Sequence, residues 1–303
     1  MKYEFEIIPA TKIGYVSLNV FDLERSLEFY RSLLGFKVVG RQSGEKVRLS
    51  VDGNGGHLLE LWQVGSKHGD LEFNFKTSAP VVPKRAGLYH FAILLPNRIF
   101  LADILSHLGE QRDRLYFEGM ADHLVSESIY LRDPDFIGVE IYRDRPSSEW
   151  KWDGSRVQMA TERLDASNLM QDATREGWKE MPAHTAVGHV HLHVSELEGT
   201  VYYSQILGMN LTCEYPGANF FAANKYHHHI ATNVWLGKGI APASPGRVGL
   251  NQIGLELPSR QDFERTVFHL NRQNADMEQT NEEGVRSILA HDRDGIPIRL
   301  YCR

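Results

Sequence analysis

Histidine and carboxylate side chains gather in two stretches of this 303-residue sequence, which contains 14 histidines. The first stretch, DHLVSESIYLRDPDFIGVE, holds His123, Tyr130 and Glu140, and the second, YHHHIA at residues 226–231, holds three consecutive histidines. Imidazole moves protons near neutral pH and binds metals, and a carboxylate accepts protons or ligates cations. These residue types indicate metal-assisted or acid–base chemistry, provided that the fold brings the two stretches together.

Two kinds of segment occur twice along the chain and indicate the elements that position these residues. GYVSLNVFDLERSLEFYRSLLGF at residues 14–36 matches GHVHLHVSELEGTVYYSQILGM at residues 188–209, and GLYHFAILLPNR at residues 87–98 matches GLNQIGLELPSR at residues 249–260. Each segment begins with alternation of apolar and polar residues, which predicts a half-buried strand, and a helical pattern follows. The chain therefore contains four related units in the order A-B-A-B.

The second and fourth units also end alike, with one change that alters the chemistry. RDPDFIGVEIY at residues 132–142 matches HDRDGIPIRLY at residues 291–301, but Arg299 stands where the first copy has Glu140. A guanidinium has donors only and cannot ligate a cation. Glycine-rich alternating segments after each helix predict hairpins, so each unit is a βαβββ module. A module has a bare sheet face and should pair with another, which predicts an α+β fold of four modules in two paired-module domains.

Domain boundaries follow from the repeats. We expect a first module pair in sequence (residues 8–146, with modules 10–65 and 84–146), a connector (147–184), and a second pair (185–303, with modules 185–238 and 246–303).

Composition narrows the classes of function. Hydrophobic content of 42%, charged content of 24% and a net charge of −6 are ordinary for a globular enzyme and give no reason to expect nucleic acid or an anionic membrane as partner. No apolar run approaches the roughly 18 residues of a membrane span. Cys213 and Cys302 cannot form a disulfide framework, so we expect the cytoplasm. A homo-oligomer is compatible with the sequence.

Four βαβββ modules resemble the vicinal-oxygen-chelate superfamily, which includes glyoxalase I, the fosfomycin and bleomycin resistance proteins and the type I extradiol dioxygenases. The stretch with His123, Tyr130 and Glu140 resembles the signature of the two-domain catechol 2,3-dioxygenase-type enzymes. It departs from that signature at Ala121 and at Phe136, where glycine or proline is usual in the turn. The resemblance implies an Fe(II)-dependent enzyme that inserts both atoms of O₂ into a catechol- or hydroquinone-type ring.

The same resemblance implies roles for individual residues. His90, Glu140 and His189 would form a 2-His-1-carboxylate triad, which leaves adjacent positions on iron open. His123, Tyr130 and His228 would be catalytic, although the sequence does not decide which of the three consecutive histidines faces the site. These residues belong to modules two and three, and modules one and four carry none of them. We therefore expect modules two and three to pair across the connector.

Two alternatives remain open at this level. Glu60, in the segment LLELW, resembles the last-strand carboxylate of glyoxalase I. If modules one and two paired, Glu60, His90 and Glu140 would form the site of an isomerase or lyase, and a second carboxylate favours Mn²⁺, Ni²⁺ or Zn²⁺. The other alternative is a metal-free ligand-binding or resistance protein, which would have no use for His90 beside Glu140.

Overall fold

The computed structural model describes residues 5–42, 44–53, 56–64, 72–74, 79–81, 84–198, 201–282 and 285–303. For residues 72–74, 79–81 and 281–282 the backbone alone is described. Among the described residues, no helix has the length and apolar character needed to span a membrane.

Each module follows the order strand, helix, three strands. The first contains β1 (Lys12–Val20), α1 (Leu23–Leu27) continued by a π-helical segment (Glu28–Leu33), β2 (Lys37–Gln42), β3 (Lys46–Ser50) and β4 (Leu59–Gln63). A short strand pair follows, β5 (Glu72–Asn74) and β6 (Ala79–Val81). The second module contains β7 (Gly87–Leu94), α2 (Arg98–Glu110), a 3₁₀ turn (Arg112–Arg114), β8 (Tyr116–Asp122), β9 (Ser126–Arg132) and β10 (Gly138–Asp144).

The connector and the last two modules complete the chain. The connector contains a 3₁₀ turn (Ser147–Glu149), β11 (Trp152–Asp153), β12 (Arg156–Val157), α3 (Ala166–Leu169) and a 3₁₀ turn (Met170–Asp172). The third module contains β13 (Ala186–His193), a π-helical segment (Tyr202–Ile206), β14 (Asn210–Tyr215), β15 (Ala218–Ala222) and β16 (Ile230–Asn233). The fourth contains β17 (Gly249–Glu256), α4 (Arg260–Arg272), β18 (Met277–Glu282), β19 (Val285–His291) and β20 (Pro297–Tyr301).

The described strands of the modules form two eight-stranded sheets. One has the order β18-β19-β20-β17-β1-β4-β3-β2 and joins modules four and one; the other has the order β14-β15-β16-β13-β7-β10-β9-β8 and joins modules three and two. The predicted α+β fold of four βαβββ modules is confirmed. The sheet of modules two and three, together with the loops that connect its strands, contains all the residues singled out for catalysis. We call it the site-bearing sheet.

In each sheet the two modules meet at the centre through the same irregular antiparallel pairing. In the site-bearing sheet, β13 has a register shift between Val187 and His189 where it pairs with β7, and β1 has one between Ile13 and Tyr15 where it pairs with β17. Glycine is required at the shift: a Cβ on Gly188 would lie 1.8 Å from the Tyr142 hydroxyl. The shift places His189, which follows Gly188, directly opposite Ala92.

The two sheets are held together by tyrosines that reach from one module to the next. Tyr30, in the π-helical segment of module one, donates a hydrogen bond of 2.8 Å to Asp133 of module two. Tyr203 and Asp292 repeat this contact between modules three and four, also at 2.8 Å. One continuous apolar core includes buried residues from all four modules.

Phe136 occupies the turn position at which the sequence departs from the extradiol signature. Its φ is +62°, in the left-handed region that favours glycine, and Gly295 at the same position of module four has φ +75°. The Phe136 ring lies 5.2 Å from that of Tyr116. The turn therefore keeps the same conformation with phenylalanine as with glycine, and left-handed conformations of this kind cost on the order of 1–3 kcal/mol.

Candidate active site

Three adjacent strands place His90, Glu140 and His189 at one point. Ala92 on β7 lies opposite Glu140 of the parallel strand β10 and opposite His189 of the antiparallel strand β13. His90 precedes Ala92 by two residues and so projects from the same face of the sheet. Glu140 Oε2 lies 3.0 Å from His90 Nε2 and 3.1 Å from His189 Nε2, and all three side chains are buried. Two imidazoles and one carboxylate thus converge with ligand atoms close enough to share a cation.

The electrostatics of this cluster suit cation binding. Burial raises the pKa of Glu140, but His189 and His90 outweigh burial and hold that pKa well below its usual range. Burial lowers the pKa of His189 to about 4, with Glu140 opposing the shift. Near neutral pH the cluster therefore offers a carboxylate and a neutral imidazole, the protonation states that ligate metals. His189 Nδ1 is buried and has no hydrogen-bond partner.

Tyr130 and His123 form a hydrogen-bonded pair beside the cluster. Tyr130 on β9 lies directly opposite Glu140, and its hydroxyl is 2.7 Å from His123 Nε2. His123 Nδ1 lies 2.7 Å from the carbonyl oxygen of Ala160. Because a carbonyl can only accept, Nδ1 carries the proton, and Nε2 of the neutral ring accepts from Tyr130. Burial raises the pKa of Tyr130 well above its usual value, which keeps the phenol protonated.

The consecutive histidines precede β16 and have different surroundings. His228 lines the cavity described below, and its ring centroid lies 4.1 Å from that of His189. His227 lies behind it, with Nδ1 2.8 Å from His228 Nδ1 and Nε2 2.9 Å from Asp144 Oδ1. His229 Nδ1 accepts a hydrogen bond of 3.2 Å from the Ala223 amide. Of the three, His228 is the one placed to meet a ligand.

The cluster lies at the base of a cavity of about 470 Å³. Its walls contain aromatic and methionine side chains: Tyr89, Met120, Met159, Tyr215, Phe220 and Trp235. The connector contributes Met159 and its neighbours Ala160 and Thr161. Glu118 lines the cavity and is ion-paired with Arg132 at 2.8 Å. Among the described lining residues there is no lysine or arginine. A cavity of this size and character suits a small aromatic ligand.

Glu60 lies in the other sheet and is not part of this cluster. Its Oε1 is ion-paired with Lys46 at 2.8 Å and with Arg48 at 2.9 Å. Its Oε2 accepts hydrogen bonds of 3.1 Å from Ser17 and Trp62. Burial raises the pKa of Glu60, but these donors, led by Lys46, lower it to about 2. The alternative site of Glu60, His90 and Glu140 is therefore wrong, because β4 pairs with β1 and β3 and not with the strands of module two.

Sequence reasoning missed two contributors to the site. Asp144 lies four residues after Glu140 on β10, and residues four apart on a strand share a face; this spacing was the available signal. Ala160 belongs to the connector, which pairs with module two through a β-bridge between Asp122 and Glu162. The Ala160 carbonyl that orients His123 belongs to the main chain, which every residue has, so the identity of residue 160 could not predict this contact.

Comparison with known proteins gives the family. The model of the glyoxalase/bleomycin resistance protein/dioxygenase superfamily matches residues 12–141. Catechol-2,3-dioxygenase of Bacillus subtilis (strain 168) is 38% identical over 277 residues, which cover 89% of this chain and 91% of that protein. The chain belongs to the glyoxalase/bleomycin resistance/dioxygenase superfamily. The predicted superfamily is confirmed, and so is the predicted enzyme class, a dioxygenase.

Solved structures with the same fold are more distant in sequence. A Bacillus subtilis structure described provisionally as a dioxygenase has a TM-score of 0.66 at 10% identity, over 98% of this chain and 86% of that one. Glyoxalase I from Zea mays has a TM-score of 0.54 at 14% identity, over 97% of this chain and 92% of that one. Identities this low show the shared fold alone.

Proposed function

We propose that this protein is an Fe(II)-dependent extradiol dioxygenase that cleaves a catechol- or hydroquinone-type ring with both atoms of O₂. The observation that carries the proposal is the convergence of His90, Glu140 and His189 at the base of an aromatic-lined cavity. The name of the 38% identical relative, catechol-2,3-dioxygenase, supports the same chemistry.

The donor set fits Fe(II). Two imidazoles and one carboxylate form the facial triad of non-haem Fe(II) oxygenases, whereas two carboxylates would favour Mn²⁺, Ni²⁺ or Zn²⁺ as a Lewis acid. Glu60, the second carboxylate that such a site requires, is held by Lys46 and Arg48 in the other sheet. Fe(II) held by the triad would supply the redox chemistry that couples O₂ to a catecholic ring.

Tyr130 and His123 orient the substrate and handle its hydroxyl proton. The Tyr130 hydroxyl is fixed by His123 Nε2 at 2.7 Å, so it presents its oxygen to a ligand in the cavity in one orientation. His123 is itself held by the Ala160 carbonyl. A proton that leaves a catechol hydroxyl can pass to this pair, the kind of role that general acid–base residues fill within hydrogen-bond reach.

His228 provides a second proton acceptor, on the wall supplied by module three. Burial lowers the pKa of His228 well below its usual range, so the ring is neutral near pH 7 and can accept a proton. Met159, Phe220 and Trp235 line the cavity and offer apolar surface on which an aromatic ring can pack.

Anaerobic reconstitution with Fe(II), followed by catechol and air-saturated buffer, tests the proposal. We expect consumption of one O₂ per catechol, a yellow ring-cleavage product, and incorporation of both atoms from ¹⁸O₂. Protein loaded with Zn(II) is the matched control and should bind catechol without consuming O₂.

Three results would contradict the proposal. Fe(II)-loaded protein that binds metal stoichiometrically but consumes no O₂ with any catechol or hydroquinone would reject dioxygenase activity. Isomerisation of a thiol hemithioacetal would assign it to the glyoxalases. Failure to retain any divalent metal would favour a ligand-binding protein.

The reducing cytoplasm is our proposed compartment for the reaction, because Cys213 and Cys302 are both free.

A further inference from the structure

Asp144, His227 and His228 form a chain of hydrogen bonds that ends at the cavity. Asp144 Oδ1 lies 2.9 Å from His227 Nε2, and His227 Nδ1 lies 2.8 Å from His228 Nδ1. The rings of His227 and His228 are buried, whereas the Asp144 side chain is 24% exposed. His228 alone of the three lines the cavity. The chain therefore connects the cavity wall to a carboxylate behind it.

Hydrogen-bond chemistry fixes the protons along this chain when both imidazole rings are neutral. A carboxylate accepts only, so His227 Nε2 donates to Asp144. In a neutral His227 ring, Nδ1 is then the acceptor. The facing nitrogen, His228 Nδ1, lies at hydrogen-bond distance and must donate. A neutral His228 ring consequently carries its proton on Nδ1 and leaves Nε2 bare.

Two tyrosines hold Asp144 in the position that this arrangement requires. The Tyr226 hydroxyl donates to Asp144 Oδ2 at 2.9 Å, and the Tyr142 hydroxyl lies 2.7 Å from that of Tyr226. Both carboxylate oxygens are therefore engaged, one by Tyr226 and one by His227. A carboxylate anchored at both oxygens fixes the orientation of the imidazole that it accepts from, as carboxylates do behind functional histidines.

We propose that Asp144 and His227 are positioning residues that hold His228 in the tautomer with a bare Nε2, so that the ring presents a proton acceptor to the cavity. The inference deepens the proposed function, since it assigns to His228 the orientation that its role in ring cleavage requires. Loss of the carboxylate frees His227 to reverse its tautomer, and His228 then carries its proton on Nε2 and cannot accept one from the substrate.

The tautomers can be measured directly, without turnover, from the ¹⁵N spectra of the histidine rings in the metal-free protein. For the wild type we expect an unprotonated Nε2 and a protonated Nδ1 on His228, and the reverse on His227. Asp144→Ala should mix the two tautomers of both rings. Asp144→Asn should retain the wild-type pattern, because its amide oxygen can still accept from His227. Tyr226→Phe removes the other hydrogen bond of Asp144 and should shift the tautomers less than Asp144→Ala does, because Oδ1 can still accept from His227.

Measurements of turnover then distinguish a positioning role of Asp144 from a general effect on folding. In the Fe(II)-loaded enzyme, Asp144→Ala should lower kcat by about 10- to 100-fold, the scale on which residues behind a functional histidine act, with KM and iron content unchanged. Asp144→Asn should restore most of the loss. A wild-type spectrum with a protonated His228 Nε2, or tautomers that do not respond to Asp144→Ala, would overturn the proposal. The expected tautomers in a protein that consumes no O₂ would instead reject the proposed function.

Discussion

His189 Nε2 lies 3.1 Å from Glu140 Oε2, although the two residues come from modules that a connector of almost 40 residues separates. The contact exists because β13 pairs with β7, so that modules two and three share one sheet. Modules adjacent in sequence but on opposite sides of the connector thus supply the two halves of the candidate site. The consequences can be tested residue by residue.

Glu140→Gln should abolish stable metal binding. The substitution keeps the size and one oxygen of the side chain but removes the charge that balances a divalent cation. We expect metal content to fall by more than ~10-fold, since changes even one shell further out cost this much, while circular dichroism stays unchanged. Glu60→Gln, the same change on the last strand of module one, is the control and should leave metal content intact. Equal metal in wild type and Glu140→Gln would remove Glu140 from the site.

Glu60→Gln should affect stability instead. Lys46 and Arg48 would lose the buried carboxylate that now pairs with both. Breaking a buried ion pair by removing one partner costs about 3–5 kcal/mol of unfolding free energy. Urea unfolding followed by tryptophan fluorescence measures the change. A loss below about 1 kcal/mol would mean that water or another acid compensates the two cations.

Tyr130→Phe should slow the reaction without loss of metal. The hydroxyl is the group that His123 Nε2 holds at 2.7 Å, so its removal leaves the substrate hydroxyl without an oriented proton acceptor. We expect kcat to fall by roughly 10²-fold, the scale of one acid–base residue. Tyr116→Phe, on a side chain that is 52% exposed, should have no effect. Parallel loss of metal and activity would make Tyr130 structural.

Acid should destabilise the metal-free fold. Burial lowers the pKa of His189, His193 and His229 to about 4, so the unfolded chain binds protons on these rings at a higher pH than the folded protein does. Their contribution to stability is complete above about pH 6.5 and is lost as the pH falls towards 4. Each ring accounts for on the order of 1–3 kcal/mol.

Urea unfolding at closely spaced pH values between 7 and 4 measures this dependence. His193→Gln should reduce the slope by the share of one ring, because its hydrogen bond to Asn233 can be kept by the amide. Stability that does not change between pH 6.5 and 4.5 would show that the buried rings do not stay neutral in the folded protein.

The charge of the cavity should select among catechols. The described lining contains Glu118 and Glu140 but no cationic side chain, and Arg132 is already paired with Glu118. A carboxylate on the substrate would find no partner there. We expect kcat/KM for catechol or 4-methylcatechol to exceed that for 3,4-dihydroxybenzoate by at least ~10-fold, equivalent to about 1.4 kcal/mol. Comparable values for the acid would mean that a cation reaches the cavity from outside the lining described.

Repetition made the fold and much of the site accessible from the sequence. Equivalent positions in the repeated modules hold His90, Glu140 and His189. Because each position predicts on which face of a strand the residue lies, the residue types could be compared from module to module. The contrast between Glu140 and Arg299 indicated that module two, but not module four, keeps a carboxylate that can ligate a metal.

Contacts set by tertiary placement were not accessible in the same way. The Ala160 carbonyl reaches His123 because the connector folds against β8, and nothing in an alanine predicts that. Asp144 and His227 are 83 positions apart, and their hydrogen bond depends on the pairing of modules and on the path of the chain before β16. In the sequence, Glu60 resembled Glu140 as a possible metal ligand. The structure shows instead that Lys46 and Arg48, on the neighbouring strand, form ion pairs with its carboxylate.

The nested arrangement of the modules has a consequence for the order in which the chain assembles during synthesis. Glu140 and His189 are 49 positions apart, whereas Tyr15 and Gln252, which pair in the other sheet, are 237 apart. Closing the longer loop costs about 1.4 kcal/mol more entropy, and it must wait until the last module leaves the ribosome. The site-bearing sheet has all its strands before then. The first module, made earliest, is therefore the last to find its partner strand, and β1 must be kept from pairing with other chains in the meantime.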